Sequence, residues 1–139
     1  MKKNLIVAVA LLVIFLGSQC LAFRPAVIGG IRDGAALGFI FERTSTSRTS
    51  LRLGIEANTG NTPVILFAGG KWFLSNIQGG YPMYLSGGLV GYLGNNRSNA
   101  GPYISIVFER LLEITPLFLE VGIDVAGSGK LQLQVGYYF

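Results

Sequence analysis

The side chains that can do chemistry in this sequence are acids and bases that interrupt its apolar stretches, and they include no histidine. Glu109 and Glu120 have the types needed for a general acid and a general base. Two such acids can also be hydrogen-bonded within a polar core. This second interpretation is favoured, because the sequence has no histidine base, no clustered metal ligands and no glycine loop of phosphate-binding spacing. We therefore expect no enzymatic activity, no metal site and no cofactor.

The N-terminal residues predict export. Lys2 and Lys3 precede an apolar run over residues 5–16, and the small residue Ala22 follows at the position expected for cleavage. This run is too short for a transmembrane anchor. The expected division is a cleaved signal peptide over residues 1–22 and a single β-barrel domain over residues 23–139.

The only cysteine, Cys20, lies inside the predicted signal peptide. Its removal would leave no thiol for a disulfide or for nucleophilic catalysis. The alternative is that Cys20 is the acylated first residue of a lipoprotein, but the preceding Gly17-Ser18-Gln19 fits that signal poorly.

Residues 131–139 show the clearest structural pattern. Leucine, valine and aromatic residues alternate there with Gln132, Gln134, Gly136 and Tyr138, which is typical of a strand with one apolar and one polar face. The segment is long enough to cross a bilayer when tilted. Its ending, Tyr137-Tyr138-Phe139, resembles the last strand of bacterial outer-membrane β-barrels, which commonly ends in aromatic-x-Phe.

That resemblance implies a small barrel of the OmpA/OmpX type in the outer membrane of a Gram-negative-type bacterium. It also implies assembly through periplasmic chaperones and the barrel-assembly machinery, with Tyr137 and Phe139 as the assembly signal. The immediate surroundings would be outer-membrane lipids, and the expected role is structural or interactive.

Turn signals divide the rest of the chain into segments that follow one another as adjacent hairpins. An even number of strands without a long crossover predicts an all-β, eight-stranded antiparallel up-and-down transmembrane barrel. The first segment is the least regular, because Pro25 and Gly29-Gly30 interrupt it. The predicted strands are residues 24–31, 35–43, 50–57, 64–74, 83–93, 103–111, 117–125 and 131–139.

The same alternation also fits a soluble periplasmic or secreted β-barrel that binds a small apolar ligand. In a soluble barrel the leucine and valine face would line the cavity, whereas in a membrane barrel it meets lipid. The signal peptide, the terminal aromatic residue, the 20 glycines and a polar face of mostly small residues favour the membrane.

In the membrane barrel the charged residues would form a polar network that fills the lumen, since eight strands enclose only enough room for side chains. Acids outnumber bases in this set, so Arg32 or Arg110 could also turn inward. A site for proton or ion passage is the alternative use of the same groups. The predicted network is Glu42, Arg52, Glu56, Lys71, Glu109, Glu120 and Asp124, with Tyr84, Tyr92, Tyr103, Gln132 and Gln134 beside it.

The connections predicted on the side opposite the termini are short: residues 32–34, 58–63, 94–102 and 127–129. Only the third offers much surface for lipopolysaccharide or for an extracellular partner, which is unknown. Its possible contacts are Asn95, Asn96, Arg97 and Asn99, and the alternative is that these are ordinary solvated turn residues.

Outward aromatic side chains are expected near the end that carries both termini, where strands cross the membrane interface. They are Phe23, Phe41, Trp72, Tyr81, Phe108, Tyr137 and Phe139. The formal charge of +4 would fall to +2 without Lys2 and Lys3, and the remaining basic residues are scattered among acids. We therefore expect no nucleic-acid interface.

Overall fold

A computed structural model describes residues 23–95 and 97–139, together with Val9. Apart from Val9, the predicted signal peptide lies outside the described residues, as does Asn96. The described chain is a closed barrel of eight antiparallel strands, in which each strand pairs with its neighbours in sequence and the last pairs with the first. Among the described residues, no helix is long and apolar enough to cross a membrane.

The predicted all-β, eight-stranded antiparallel order is confirmed. The strands are β1 Arg24–Arg32, β2 Ala35–Thr44, β3 Thr49–Asn58, β4 Val64–Ile77, β5 Tyr81–Leu93, β6 Ser98–Glu109, β7 Leu117–Ala126 and β8 Ser128–Tyr138, with a short 3-10 turn at Leu111–Glu113.

The barrel has two ends, which carry different connections. The terminal rim holds Phe23, Phe139 and the connections over residues 45–48, 78–80 and 110–116. The hairpin rim holds the connections over residues 33–34, 59–63, 94–97 and at residue 127.

Two predicted connections are in fact largely strand. The β4–β5 hairpin continues past the barrel wall at the terminal rim. Pairing between β3 and β4 ends at Trp72, and beyond a bulge after Phe73 the end of β4 pairs with the start of β5. At the hairpin rim, β6 begins at Ser98 rather than Tyr103. Pro102 is tolerated there because pairing with β7 begins only at Tyr103, so this part of β6 is an edge.

Inside the barrel, glycines leave room for aromatic rings of neighbouring strands. A Cβ atom at Gly54 of β3 would overlap the ring of Phe67 on β4, and one at Gly136 of β8 would overlap the ring of Phe118 on β7. A narrow barrel has little space for side chains on its inner face. The glycines therefore let large rings fill the interior without pushing the strands apart.

Candidate functional site

Alternate residues of each strand face inward, and the inward set is rich in charge. The buried charged residues are Arg32, Glu42, Arg52, Glu56, Lys71, Glu120 and Asp124, each at most 6% exposed. Together with Glu109, they form what we call the luminal network. It is organised around three cations, each paired with carboxylates on other strands.

Arg32 is the cation nearest the hairpin rim. Its Nε and Nη2 atoms donate to the two carboxylate oxygens of Asp124 at 2.7 and 3.0 Å, and its Nη1 donates to Glu56 at 2.9 Å. The guanidinium also lies 4.6 Å from the centre of the Phe67 ring. This planar, two-pronged contact suits arginine better than lysine.

The prediction that Arg32 belongs to the turn over residues 32–34 is therefore wrong. Arg32 is the last residue of β1, and its side chain is completely buried. The inward position follows from the strand phase, since Ala26 and Ile28 of β1 also face inward. Arg32 can remain buried because the interior carboxylates pair with it. Arg110, the other arginine that could have turned inward, is exposed.

Neutral side chains complete the surroundings of the Arg32 carboxylates. The hydroxyl of Tyr92 donates to Asp124. The amide of Gln134 donates to Glu56 at 2.8 Å, and the amide of Gln132 donates to Gln134 at 2.8 Å. These bonds supply the additional partners that buried ions require.

Arg52 is the cation of the middle group. Its Nη1 and Nη2 atoms contact the two carboxylate oxygens of Glu120 at 3.1 and 2.9 Å. Nη1 also donates to Ser86 at 2.9 Å, and Ser105 donates to Glu120 at 2.6 Å. The two serine hydroxyls therefore add one hydrogen bond to each partner of the charged pair.

Lys71 is the cation nearest the terminal rim. Its Nζ atom lies 2.6 Å from Glu42 Oε1 and 2.6 Å from Glu109 Oε1. Tyr138 donates from its hydroxyl to Glu42 Oε2 at 2.8 Å. The same Glu42 oxygen lies 3.6 Å from Arg52 Nε, so Glu42 links the middle and terminal groups.

Glu109 and Glu120 belong to different groups of the luminal network. Glu109 contacts Lys71, while Glu120 contacts Arg52. Within the described residues, no group of three or more acids, histidines or cysteines is arranged to hold a metal ion.

The outward face of the strands is apolar. Leu37, Leu89 and Leu131 are each more than 60% exposed, on three different strands. Outward aromatic residues cluster at the terminal rim, where Trp72, Tyr137 and Phe139 are 44%, 42% and 71% exposed. Phe23, Phe41, Tyr81 and Phe108 are partly exposed.

The predicted loop contacts do not all lie in a loop. Asn95 and Arg97 are exposed in the β5–β6 connection, whereas Asn99 belongs to β6 and pairs with Tyr92 of β5. Asn96 lies outside the described residues.

Three uncharged residues that contact the luminal network were absent from the predicted network. Tyr138 was predicted on the polar face of the last strand but not as a member of the network, and it is 2% exposed and contacts Glu42. Its alternation with Gln132 and Gln134 was the signal that it faces inward. Ser86 and Ser105 carried no such signal, because small polar residues occur on either face of a strand.

No family model, curated protein or solved structure gives a significant match to this chain. The functional argument therefore depends on the distribution of charge and apolar surface in the barrel.

Proposed function

We propose that this chain is a small integral outer-membrane β-barrel with a structural or interaction role and a lumen filled by side chains. The observation that carries the proposal is the inverted arrangement of the barrel. Its ion pairs are inside, beside a buried apolar set that includes Ile40, Phe67 and Phe118, while large apolar side chains of all eight strands are exposed on the outside. A bilayer accepts this arrangement, because lipid covers the outer surface while the interior satisfies its own charges.

The outer surface exposes large apolar side chains on all eight strands. Exposed leucine, isoleucine and valine residues occur on strands all around the barrel, including Ile31 on β1, Ile55 on β3 and Val121 on β7. Soluble monomers rarely expose apolar patches larger than a few hundred Å². Burial in lipid removes that surface from water.

The alternative, a soluble barrel with an apolar ligand inside, is less well supported. It requires the leucine and valine face to line the cavity. In the structure Leu131, Leu133 and Val135 are instead exposed on the outside, at 63%, 44% and 44%. The interior positions between them are occupied by Gln132 and Gln134.

A filled lumen supports a structural role over a wide pore. The three cations join strands that are not neighbours in the sheet. Arg32 joins β1 to β3 and β7, and Arg52 joins β3 to β7. Lys71 joins β4 to β2 and β6. These contacts cross the space that a channel would need.

The location and partners follow from the same proposal. Outer-membrane lipids would cover the apolar surface, and the barrel-assembly machinery with its chaperones would recognise the terminal strand. Tyr137 is exposed on the outer face of β8 and Phe139 directly after its end, and the two rings pack edge to face at 6.0 Å. That position leaves the aromatic pair accessible before lipid covers it.

Cell fractionation followed by electrophoresis with and without boiling tests the proposal. We expect the full-length protein in the outer-membrane fraction, with a mobility that changes on heating as the folded barrel unfolds. A soluble periplasmic product without a heat shift would contradict the membrane proposal and would favour the ligand-binding alternative.

A further inference from the structure

The exposed charges of the barrel are divided unequally between its two rims. The terminal rim carries four exposed arginines, Arg24, Arg43, Arg48 and Arg110, against the exposed acid Glu113. At the hairpin rim the charged side chains are Asp33, Lys130 and Arg97, and the first two pair with each other at 2.7 Å.

The terminal arginines have no carboxylate partner in the described part of the chain, where none of them makes an ion pair within 4.0 Å. The nearby acids Glu42 and Glu109 are already held by Lys71. Arg24 lies 4.0 Å above the Tyr138 ring and Arg48 lies 5.9 Å from the Phe73 ring. These stacking contacts hold the guanidinium groups without neutralising them.

Each arginine is also close to an outward aromatic residue, either along the chain or through strand pairing. Arg43 and Arg110 each follow an aromatic residue, Phe41 and Phe108, by two positions. Arg24 directly follows Phe23, and Arg48 precedes Thr49, the residue that pairs with Trp72. Aromatic rings of this kind occupy the boundary between hydrocarbon and headgroups. Arg43 and Arg110 then lie nearer the headgroups than Phe41 and Phe108, because β2 and β6 run toward the terminal rim.

We propose that the terminal rim binds the phosphate groups of anionic phospholipids in the leaflet that it faces. This inference rests on the proposed membrane location. Guanidinium groups contact phosphate through two parallel hydrogen bonds, and basic side chains near an anionic surface strengthen binding. Phospholipid is the preferred occupant, because its phosphate and its acyl chains would meet the arginines and the adjoining apolar surface together.

Trp72 provides a local probe, because it is the only tryptophan and it lies at this rim with 44% of its surface exposed. The purified protein would be reconstituted into phosphatidylcholine vesicles. These would contain a small fraction of either pyrene-labelled phosphatidylglycerol or pyrene-labelled phosphatidylcholine. Energy transfer from Trp72 then reports which lipid collects near the rim.

We expect greater transfer to the anionic lipid than to the neutral one, with the difference falling as salt is added. Replacing all four arginines by glutamine should lower the local enrichment of anionic lipid at least about fivefold. This is a lower bound, because a single basic side chain near an anionic surface contributes about that factor. Replacing them by lysine should retain most of the enrichment. Arg97→Gln at the opposite rim is the matched control and should leave the enrichment unchanged.

The possible failures can be distinguished. A protein that does not insert into vesicles, judged by the absence of a heat-dependent mobility, would contradict the proposed function itself. An inserted barrel with equal transfer to both lipids would overturn only the rim inference. Loss of the preference in Arg97→Gln but not in the four-glutamine variant would also overturn it, since the anionic site would then lie at the hairpin rim.

Discussion

Arg52 on β3 and Glu120 on β7 meet in the interior of the barrel through two hydrogen bonds of 3.1 and 2.9 Å, although 68 positions separate them in the sequence. Both side chains are almost completely buried. Neither strand pairs with the other, so this contact joins opposite parts of the wall.

Replacing Arg52 by methionine should destabilise the barrel by about 3–5 kcal/mol, because Glu120 would remain charged and buried without its partner. The double variant Arg52→Met with Glu120→Met should recover most of that loss. Urea unfolding of the vesicle-inserted protein measures both changes. A double variant as unstable as the single one would show that the pair is not the source of the effect.

Gly54→Ala should destabilise the barrel by about 1–3 kcal/mol, because the new Cβ would press against the Phe67 ring. Adding Phe67→Leu should restore part of the stability. Gly129→Ala is the matched control, since a Cβ at Gly129 has no heavy atom within 4 Å. The same unfolding assay applies, and equal losses at the two glycines would contradict the packing argument.

Val121→Arg should cost about 2–4 kcal/mol, because this outward residue of β7 would bring a charge into the middle of the bilayer. Val125→Arg, nearer the hairpin rim on the same face, should cost only about 0–1 kcal/mol. Unfolding from vesicles and the yield of heat-modifiable protein measure this difference. Two variants with the same small cost would argue against a lipid-facing outer surface.

Phe139→Ala should lower the amount of assembled protein in cells while leaving refolding into detergent nearly unchanged. The reason is that the ring is 71% exposed and contributes little to packing, whereas the assembly machinery is proposed to read it. Phe39→Ala removes another outward ring, 51% exposed on β2, and serves as the control. Equal losses in cells for both variants would contradict a specific terminal signal.

The strand number and order could be predicted from sequence because alternation is local. In β2 and β8, for example, every second residue is buried over most of the strand. Strand ends were harder to place, because they depend on which neighbour is still within pairing distance. The extension of β4 to Ile77 pairs with the start of β5, from Ser75 with Met83 to Ile77 with Tyr81.

The candidate site was predictable in composition but only partly in connectivity. Strand order indicated that Glu42 and Glu109 could reach Lys71, as they do, yet it gave no indication that Arg52 would pair with Glu120. That choice depends on strand tilt and on side-chain length across the lumen. The excess of acids indicated that Arg32 or Arg110 could turn inward, but the turn-like neighbours of Arg32, Asp33 and Gly34, obscured the strand phase that decides between them.

The three cations of the luminal network have a consequence for how the barrel forms. Each one contacts carboxylates from strands that do not pair with its own, so a partly built sheet would hold these charges without all of their partners. An intermediate lacking β7 would leave Arg32 and Arg52 without Asp124 and Glu120. Incomplete sheets are thereby penalised on the face that becomes the interior. The wall is expected to close as one cooperative unit rather than strand by strand.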